Sequence, residues 1–366
     1  MARTQHMKSY FDDFLKNVRL SEEQKKALVD AHTQLRDKLN ADNRLKDVMV
    51  DTFLQGSYRR STIIKPAAGQ RSDVDVVVVT NMSEEEYTPA EALDLFLGFL
   101  KEHYPNQYER QGRSWGIHLE EADIDLVPTS APSEALAKSE AIRNAAFSSL
   151  DIEGLSDLDA LSKTYGSRTA SLIGAIIDND DWRGEPLRIP DREANVWEST
   201  DPLSQISWTA EKNAKCSGHY VNVVKAIKWW WRTQHPDKKY PKGYPLEHLV
   251  GDCCPDGIES VAEGVVMTFE SIEKLGYIKP VLLDRGLPND VMARVPQEAY
   301  SVFYECASAA AKIAREAFES EDTRSASEKW RELFGEEFPL APKPESRAAF
   351  TARAGATTAL SEANFA

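Results

Sequence analysis

Two carboxylates at alternate positions of a valine-rich segment are the first candidates for chemistry in this sequence. Asp73 and Asp75 lie in the segment 73–80, which is too short and too β-branched to favour a helix and is predicted as a strand. Side chains alternate faces along a strand, so both aspartates project from one side. Carboxylates held together favour a divalent cation between them, and Mg²⁺ prefers such oxygen ligands. By itself the pattern also fits a solvated strand edge.

A glycine-serine pair stands upstream of these carboxylates. Residues 51–55 are predicted as a strand, and Gln55-Gly56-Ser57 leads from it into a turn that opens a short helix. Glycine lets the backbone approach a phosphate closely, and the Ser57 hydroxyl with neighbouring backbone N–H groups can hold phosphate oxygens. Gln55, Gly56 and Ser57 are therefore candidate nucleotide-binding residues, although the same dipeptide is common in ordinary turns.

A third carboxylate follows in the predicted strand 121–127, which Pro128 is expected to end. Asp123 and Asp125 alternate as the first pair does, so spacing alone does not choose between them, and either fits a solvated strand residue. Carboxylates on two adjacent strands beside a phosphate-binding turn suit nucleotidyl transfer with two metal ions. One ion lowers the pKa of the attacking ribose hydroxyl, and the other holds the triphosphate and its pyrophosphate leaving group.

Three motifs together resemble the polymerase-β-like nucleotidyltransferases, and more narrowly the bacterial CD-NTases, which are relatives of cGAS and the oligoadenylate synthases. They are F-L-Q-G-S-Y-R-R-S-T at 53–62, S-D-V-D-V-V-V-V at 72–79 and D-L-V-P at 125–128. The third motif favours Asp125 over Asp123, because the family's third aspartate precedes two apolar residues and a proline. The resemblance implies that Asp73, Asp75 and Asp125 are catalytic residues that bind two Mg²⁺ ions, for which Mn²⁺ can substitute.

Two segments of the C-terminal half extend the resemblance. V-K-A-I-K-W-W at 224–230 resembles the family's helix whose lysine contacts the triphosphate, and Y-P-L-E-H-L at 244–249 resembles the segment whose tyrosine stacks on a base. Lys228 offers a compact cation for phosphate, and Tyr244 offers a flat aromatic face for a purine. Without the resemblance, a surface lysine beside a core tryptophan and a core tyrosine are the simpler interpretations.

The resemblance implies a cyclic oligonucleotide synthase. Such an enzyme would join ATP and other nucleoside triphosphates into a cyclic di- or trinucleotide, and overall likeness favours the members that make adenine-containing trinucleotides. The product would be a second messenger that activates an effector in antiphage defence, with accessory proteins of the ubiquitin-transfer type acting on the C-terminus. Two alternatives stay open: an untemplated synthase of linear oligonucleotides, and a nucleotide-binding regulator without turnover, which the intact aspartates disfavour.

The elements that must position these residues predict an α+β fold in two lobes, with the active site in the cleft between them. The first lobe, residues 1–175, would hold a mixed sheet and a long N-terminal helix. The second, 176–340, would be mostly helical, with a polar segment at 177–202 that returns across the first lobe, and 341–366 would be a disordered tail. Periodicity predicts strands at 51–55, 73–80, 115–119 and 121–127, and helices at 21–41, 91–103, 204–234, 245–254, 258–275, 297–318 and 324–333.

Composition limits the partners and the compartment. The net charge of -15 disfavours a long nucleic acid, although basic residues gather at 59–71 and 225–242 and allow small phosphorylated substrates. We expect no membrane span and no secretory signal, and four cysteines without a framework spacing indicate a reduced, cytoplasmic protein. Ligand types for zinc are present, but their spacing fits small core residues better: Cys216, His219, His248, Cys253 and Cys254.

Overall fold

The computed structural model describes residues 2–130 and 186–342, so the predicted boundary at residue 175 and nearly all of the predicted tail 341–366 lie outside the described residues. Within them, strands and helices alternate in the N-terminal half and helices follow in the C-terminal half, which confirms the predicted α+β architecture. The strands are β1 (Met49–Gln55), β2 (Ser72–Thr80), β3 (Tyr108–Arg110), β4 (Trp115–His118), β5 (Ala122–Ser130), β6 (Leu187–Asp191) and β7 (Val196–Thr200).

The helices divide between the two halves of the chain. They are α1 (Ala2–Val18), α2 (Glu22–Ala41), α3 (Gly56–Arg59), α4 (Pro89–Asp94), α5 (Leu97–His103), α6 (Pro202–Lys215), α7 (Tyr220–Gln234), α8 (Tyr244–Cys253), α9 (Val261–Leu275), α10 (Gln297–Glu319) and α11 (Thr323–Phe334). The predicted capping box at the start of α2 is present, with Ser21 and Gln24 satisfying each other's backbone N–H groups. None of the described helices is long and apolar enough to cross a membrane.

The sheet places two acidic strands side by side at its centre. Its order is β1-β2-β5-β4-β3; β2 and β5 run parallel, and β1 and β4 flank them in antiparallel pairs. Val74, Val76 and Val78 fill a core on one face together with Ile124 and Leu126. Because side chains alternate along a strand, the acidic residues of β2 and β5 share the opposite face.

A second core lies among the helices of the C-terminal half, and α1 belongs to it. Phe14 stacks on Phe334 with 4.5 Å between ring centroids, and Phe11 meets Trp330 edge to face at 5.0 Å. The sequence assigns residues 1–175 to the first lobe, whereas α1 packs against helices of the C-terminal half. An amphipathic helix shows which of its faces is apolar but not which core will cover that face.

Two predicted elements differ from the structure because of local backbone geometry. The predicted helix 204–234 is two helices, α6 and α7, since Ser217 and Gly218 adopt positive φ values of 54° and 81° that a helix cannot continue through. Likewise the predicted helix 91–103 is divided into α4 and α5. Apolar residues on both sides of each break keep the helical period, so the pattern alone does not reveal the interruption.

The sheet also extends further than predicted. β5 runs through Pro128 to Ser130, so the expected end at this proline is wrong. Strand β4 pairs with β5 only at residues 123–126. The backbone N–H that Pro128 lacks would therefore have no partner on β4, and the sheet loses no hydrogen bond on that side. The turn-rich segment 187–200 forms the hairpin of β6 and β7. This hairpin extends the same sheet, because Arg188 of β6 pairs with Ser130 of β5.

Candidate active site

The acidic residues of the two central strands lie next to each other in register. In the parallel pair, Asp73 is opposite Asp123 and Asp75 is opposite Asp125. Strand β1 brings Gln55 beside Asp75 from the other side. The structure therefore brings together Asp73, Asp75 and Asp125 on one face of the sheet, as the alternation of residues predicted.

Repulsion and burial change the ionisation of this group. Burial, together with the charges of Asp125 and Asp73, raises the pKa of Asp75 to about 7, and the Arg60 guanidinium opposes this rise. Burial and the charge of Asp73 raise the pKa of Asp125 to about 6, against a hydrogen bond from Gln111. Such shifts are typical of functional sites, where burial and neighbouring like charges act on the same carboxylates.

The two candidates for the third carboxylate have different partners. Asp123 accepts a hydrogen bond from Arg71 Nε at 2.8 Å, and His118 Nδ1 lies 2.9 Å from the same oxygen. Asp125 instead faces the negative charges of Asp73 and Asp123. Because Asp123 is already paired with Arg71, its carboxylate would gain less electrostatic stabilisation from a metal ion than that of Asp125. This difference favours Asp125 as the third metal ligand.

Replacement of each candidate separately tests this distinction. If Asp125 is a metal ligand and proton acceptor, Asp125→Asn is expected to lower the initial rate of pyrophosphate release from nucleoside triphosphates by at least about 100-fold. Asp123→Asn breaks only a partly exposed ion pair and should change the rate by less than about threefold. The reverse order of effects would transfer the role to Asp123.

The glycine-serine turn is packed directly against Asp75. Gly56 opens the single-turn helix α3 with a φ of 77°, and a Cβ atom added to it would lie 1.8 Å from Asp75 Oδ2. The Ser57 carbonyl accepts the backbone N–H groups of Thr62 at 2.9 Å and Ile63 at 3.1 Å, which closes the turn. Only glycine allows this approach of the backbone to the Asp75 carboxylate. Because Gln55 pairs with Asp75 and Ser57 follows Gly56 directly, the whole Gln55-Gly56-Ser57 turn lies at the acidic residues.

Lys228 crosses from the helical half to this turn. Its Nζ donates to the Thr62 carbonyl at 3.0 Å and lies 3.9 Å from Glu247 Oε2, with the side chain 13% exposed. Burial lowers the pKa of the Lys228 ammonium, while the charges of Glu247 and Asp73 oppose that change. The contact places a cation beside the glycine-serine turn, and the binding of Lys228 to triphosphate stays a prediction.

Tyr244 stands at the start of α8, half-buried beside the same turn. Its hydroxyl donates to Asp284 Oδ1 at 2.5 Å, and the Arg60 guanidinium lies 5.0 Å from its ring centroid. Burial, together with the charge of Asp284, raises the pKa of the Tyr244 phenol. A ring oriented by its hydroxyl is suited to stacking on a base, and this role also stays a prediction.

The sequence did not single out the groups that join the two halves at this point. Glu247 accepts hydrogen bonds from Arg60 Nε at 2.6 Å and from Thr62 Oγ1 at 2.7 Å, and both ionic side chains are buried. Glu247 follows Tyr244 by three residues on α8, so the two share a helix face. Nothing local in the sequence relates Arg60 to a residue almost two hundred positions away, which is why this contact was missed.

The donor set suits a hard divalent cation such as Mg²⁺, since bound positive charge relieves the repulsion among three carboxylates. Over residues 2–130 and 186–342, no group of three or more His, Cys, Asp or Glu side chains already has the arrangement of a metal site. Asp73 is exposed on the same face of the sheet as Asp75 and Asp125, and these three residues would hold the cation. Cys216, Cys253 and Cys254 are free cysteines that lie in the second core.

Comparison with known proteins relates the chain to second-messenger synthases. Residues 6–146 match the family described as Second Messenger Oligonucleotide or Dinucleotide Synthetase domain. The chain is 42% identical over 364 residues to a probable cyclic AMP-AMP-GMP nucleotide synthase of Salmonella paratyphi B, covering 93% of both chains. It is 42% identical over 359 residues to a cyclic AMP-AMP-GMP synthase of Enterobacter hormaechei subsp. hoffmannii, covering 92% of both.

A solved structure shares the fold at much lower identity. E. coli CdnC, determined with ATP, superposes with a TM-score of 0.64 at 16% identity, over 91% of this chain and 99% of that one. At this identity the likeness supports the architecture alone. The identity to the two curated relatives extends across nearly the whole chain and therefore includes both halves of the candidate site.

Proposed function

The chain belongs to the bacterial CD-NTases, which are nucleotidyltransferases that synthesise cyclic oligonucleotides, and from this we propose that it makes cyclic AMP-AMP-GMP from ATP and GTP. The observation that carries the proposal is the agreement between the site and the relatives. Three carboxylates share one face beside a glycine turn, and the 42% identical relatives are named for that product. The proposed use of ATP and GTP rests on the product named for the relatives. The proposed nucleotidyl transfer rests on the arrangement of the carboxylates and the glycine turn.

Each joining step forms one bond and breaks one. A ribose hydroxyl oxygen attacks the α-phosphorus of a triphosphate, the bond from that phosphorus to the bridging oxygen breaks, and pyrophosphate leaves. Asp125, with a pKa of about 6, is ionised at neutral pH and accepts the hydroxyl proton. Repetition of this step and a final attack within the linear intermediate would close the ring.

The remaining residues hold the triphosphate and the base. Ser57 and the backbone of its turn contact phosphate oxygens, Lys228 supplies a cation from the second lobe, and Tyr244 stacks on a base. Asp73, Asp75 and Asp125 would hold two Mg²⁺ ions, for which Mn²⁺ can substitute. Bound at these carboxylates, the ions would supply charge for activation of the hydroxyl and stabilisation of pyrophosphate.

Omission of single nucleotides tests the proposed product. The purified chain is incubated with Mg²⁺ and all four nucleoside triphosphates, then with each one left out, and phosphatase-resistant products are identified by mass spectrometry. Loss of the product only when ATP or GTP is missing is expected. A product that persists without GTP, or one containing a pyrimidine, would contradict the proposed composition. A nuclease of defined linkage distinguishes a ring from a linear oligonucleotide.

A signalling role in the cytoplasm follows from the same proposal. A small, charged product can diffuse to an effector, and the resemblance implies antiphage defence with accessory proteins of the ubiquitin-transfer type. These partners stay predictions. Plaque counts on cells that carry the wild-type chain or its Asp75→Asn variant, together with the neighbouring effector, would measure the role, and equal counts would contradict it.

A further inference from the structure

A single buried carboxylate connects the two halves of the molecule at the candidate site. Glu247 is 3% exposed and lies on α8 in the helical half. One of its oxygens accepts from Arg60 Nε at 2.6 Å, and the other accepts from Thr62 Oγ1 at 2.7 Å. Lys228 Nζ is 3.9 Å from that second oxygen. Glu247 therefore contacts two residues of the first half and one cation of the second.

The two residues that Glu247 binds in the first half are those that close the phosphate-binding turn. The Arg60 backbone N–H donates to the Gly56 carbonyl at 3.1 Å, and the Thr62 N–H donates to the Ser57 carbonyl at 2.9 Å. Lys228 Nζ donates to the Thr62 carbonyl at 3.0 Å. The position of the turn relative to Lys228 is thus determined by contacts that all include Glu247 or its immediate partners.

The charges of Arg60, Lys228 and Glu247 do not suit a purely stabilising role. The buried Arg60 and the partly buried Lys228 share one buried anion, Glu247, and such groups lose hydration that their mutual attraction does not fully restore. The excess positive charge lies beside the carboxylates of β2, since Arg60 acts on Asp75 and Asp73 acts on Lys228. Positive charge in this place is favourable when a triphosphate binds there.

We propose that Glu247 is a positioning residue, which holds the turn 56–62 against Lys228 so that both lobes bind the same triphosphate. The inference rests on the proposed function, because it takes the triphosphate as the ligand. Glu247 itself would not touch the nucleotide. It would act through Arg60 and Thr62 on the turn, and through its charge on Lys228.

Calorimetric binding of a non-hydrolysable ATP analogue with Mg²⁺ tests the proposal. Glu247→Gln removes the charge but keeps a similar shape, and we expect it to weaken binding about tenfold. The KM for ATP should rise similarly, while kcat at saturating ATP changes by less than about threefold. The matched control Thr233→Val removes a hydroxyl that donates to the Trp229 carbonyl within α7 and does not contact Glu247, so it should weaken binding by less than about threefold.

A double-mutant cycle with Lys228→Met separates positioning from general stability. If Glu247 acts by aligning the turn with Lys228, Glu247→Gln should weaken binding of the ATP analogue by less than about threefold in the Lys228→Met background. An equal effect of Glu247→Gln in both backgrounds, or unchanged affinity in a folded Glu247→Gln protein, would overturn the proposal.

A third variant covers the case in which Glu247→Gln does not fold. Glu247→Asp keeps the charge and withdraws it by one methylene, so it should fold and bind the analogue about threefold more weakly only when Lys228 is present. Wild-type affinity for this variant would also overturn the inference. Failure of the wild-type chain to bind the analogue at all would instead count against the proposed function.

Discussion

Asp75→Asn is expected to abolish cyclic oligonucleotide synthesis and to make the ligand-free protein more stable at pH 8. The carboxylate is held beside Asp73 and Asp125, which together with burial raises its pKa to about 7. Its unfolded pKa is about 3.9, so folding takes up a proton between these pH values. The stability that this proton uptake contributes is complete below about pH 4 and is lost as the pH rises through 7.

Melting temperatures at two pH values measure this effect. At pH 8 the wild-type carboxylate is ionised against its neighbours, and the neutral amide should gain about 1–2 kcal/mol, or roughly 2–4 °C. At pH 5 the folded wild-type carboxyl is already protonated, so the difference should shrink. Product formation should be lost at both pH values. A variant that still makes product, or that melts lower than wild type at pH 8, would contradict the assignment of Asp75.

Gly56→Ala is expected to reduce synthesis at least about 100-fold while the protein remains folded. The new Cβ would lie 1.8 Å from Asp75 Oδ2 and 2.7 Å from its Cγ, so the turn and the carboxylate cannot keep their positions. A displacement of about 1 Å at such a site is enough for a loss of this size. The positive φ of 77° adds a further backbone cost of about 1–2 kcal/mol for alanine.

Gly69 offers a matched control for the backbone cost. It has the same φ of 77°, but a Cβ added there meets nothing within 4 Å. Gly69→Ala should therefore show a similar loss of thermal stability with activity close to wild type. Equal losses of activity in Gly56→Ala and Gly69→Ala would show that strain, rather than the contact with Asp75, explains the effect.

The sequence predicted those parts of the fold and site that depend on local periodicity. Alternation placed Asp73 and Asp75 on one face, and helical spacing located α2 and the helices α8 to α11 within a few residues. The choice of Asp125 came from the resemblance and gained a physical reason from the arginine that occupies Asp123.

What the sequence did not predict depends on contacts between distant residues. The pairing of α1 with α11 and the hairpin of β6 and β7 are fixed by tertiary packing, which no local pattern records. The predicted helices 91–103 and 204–234 are each interrupted by a local change in backbone conformation, although the helical spacing of apolar residues continues across the interruption. The sequence around Glu247 does not indicate its role, because that role depends on contacts with the distant residues Arg60 and Thr62.

One measurement tests the central claim most directly. Wild-type protein and its Asp75→Asn variant are incubated in parallel with labelled ATP and GTP and with Mg²⁺, treated with phosphatase, and examined by mass spectrometry. The expected result is a phosphatase-resistant product with the mass of cyclic AMP-AMP-GMP from the wild type and none from the variant. Equal product from both proteins, or only phosphatase-sensitive linear product from the wild type, would contradict it.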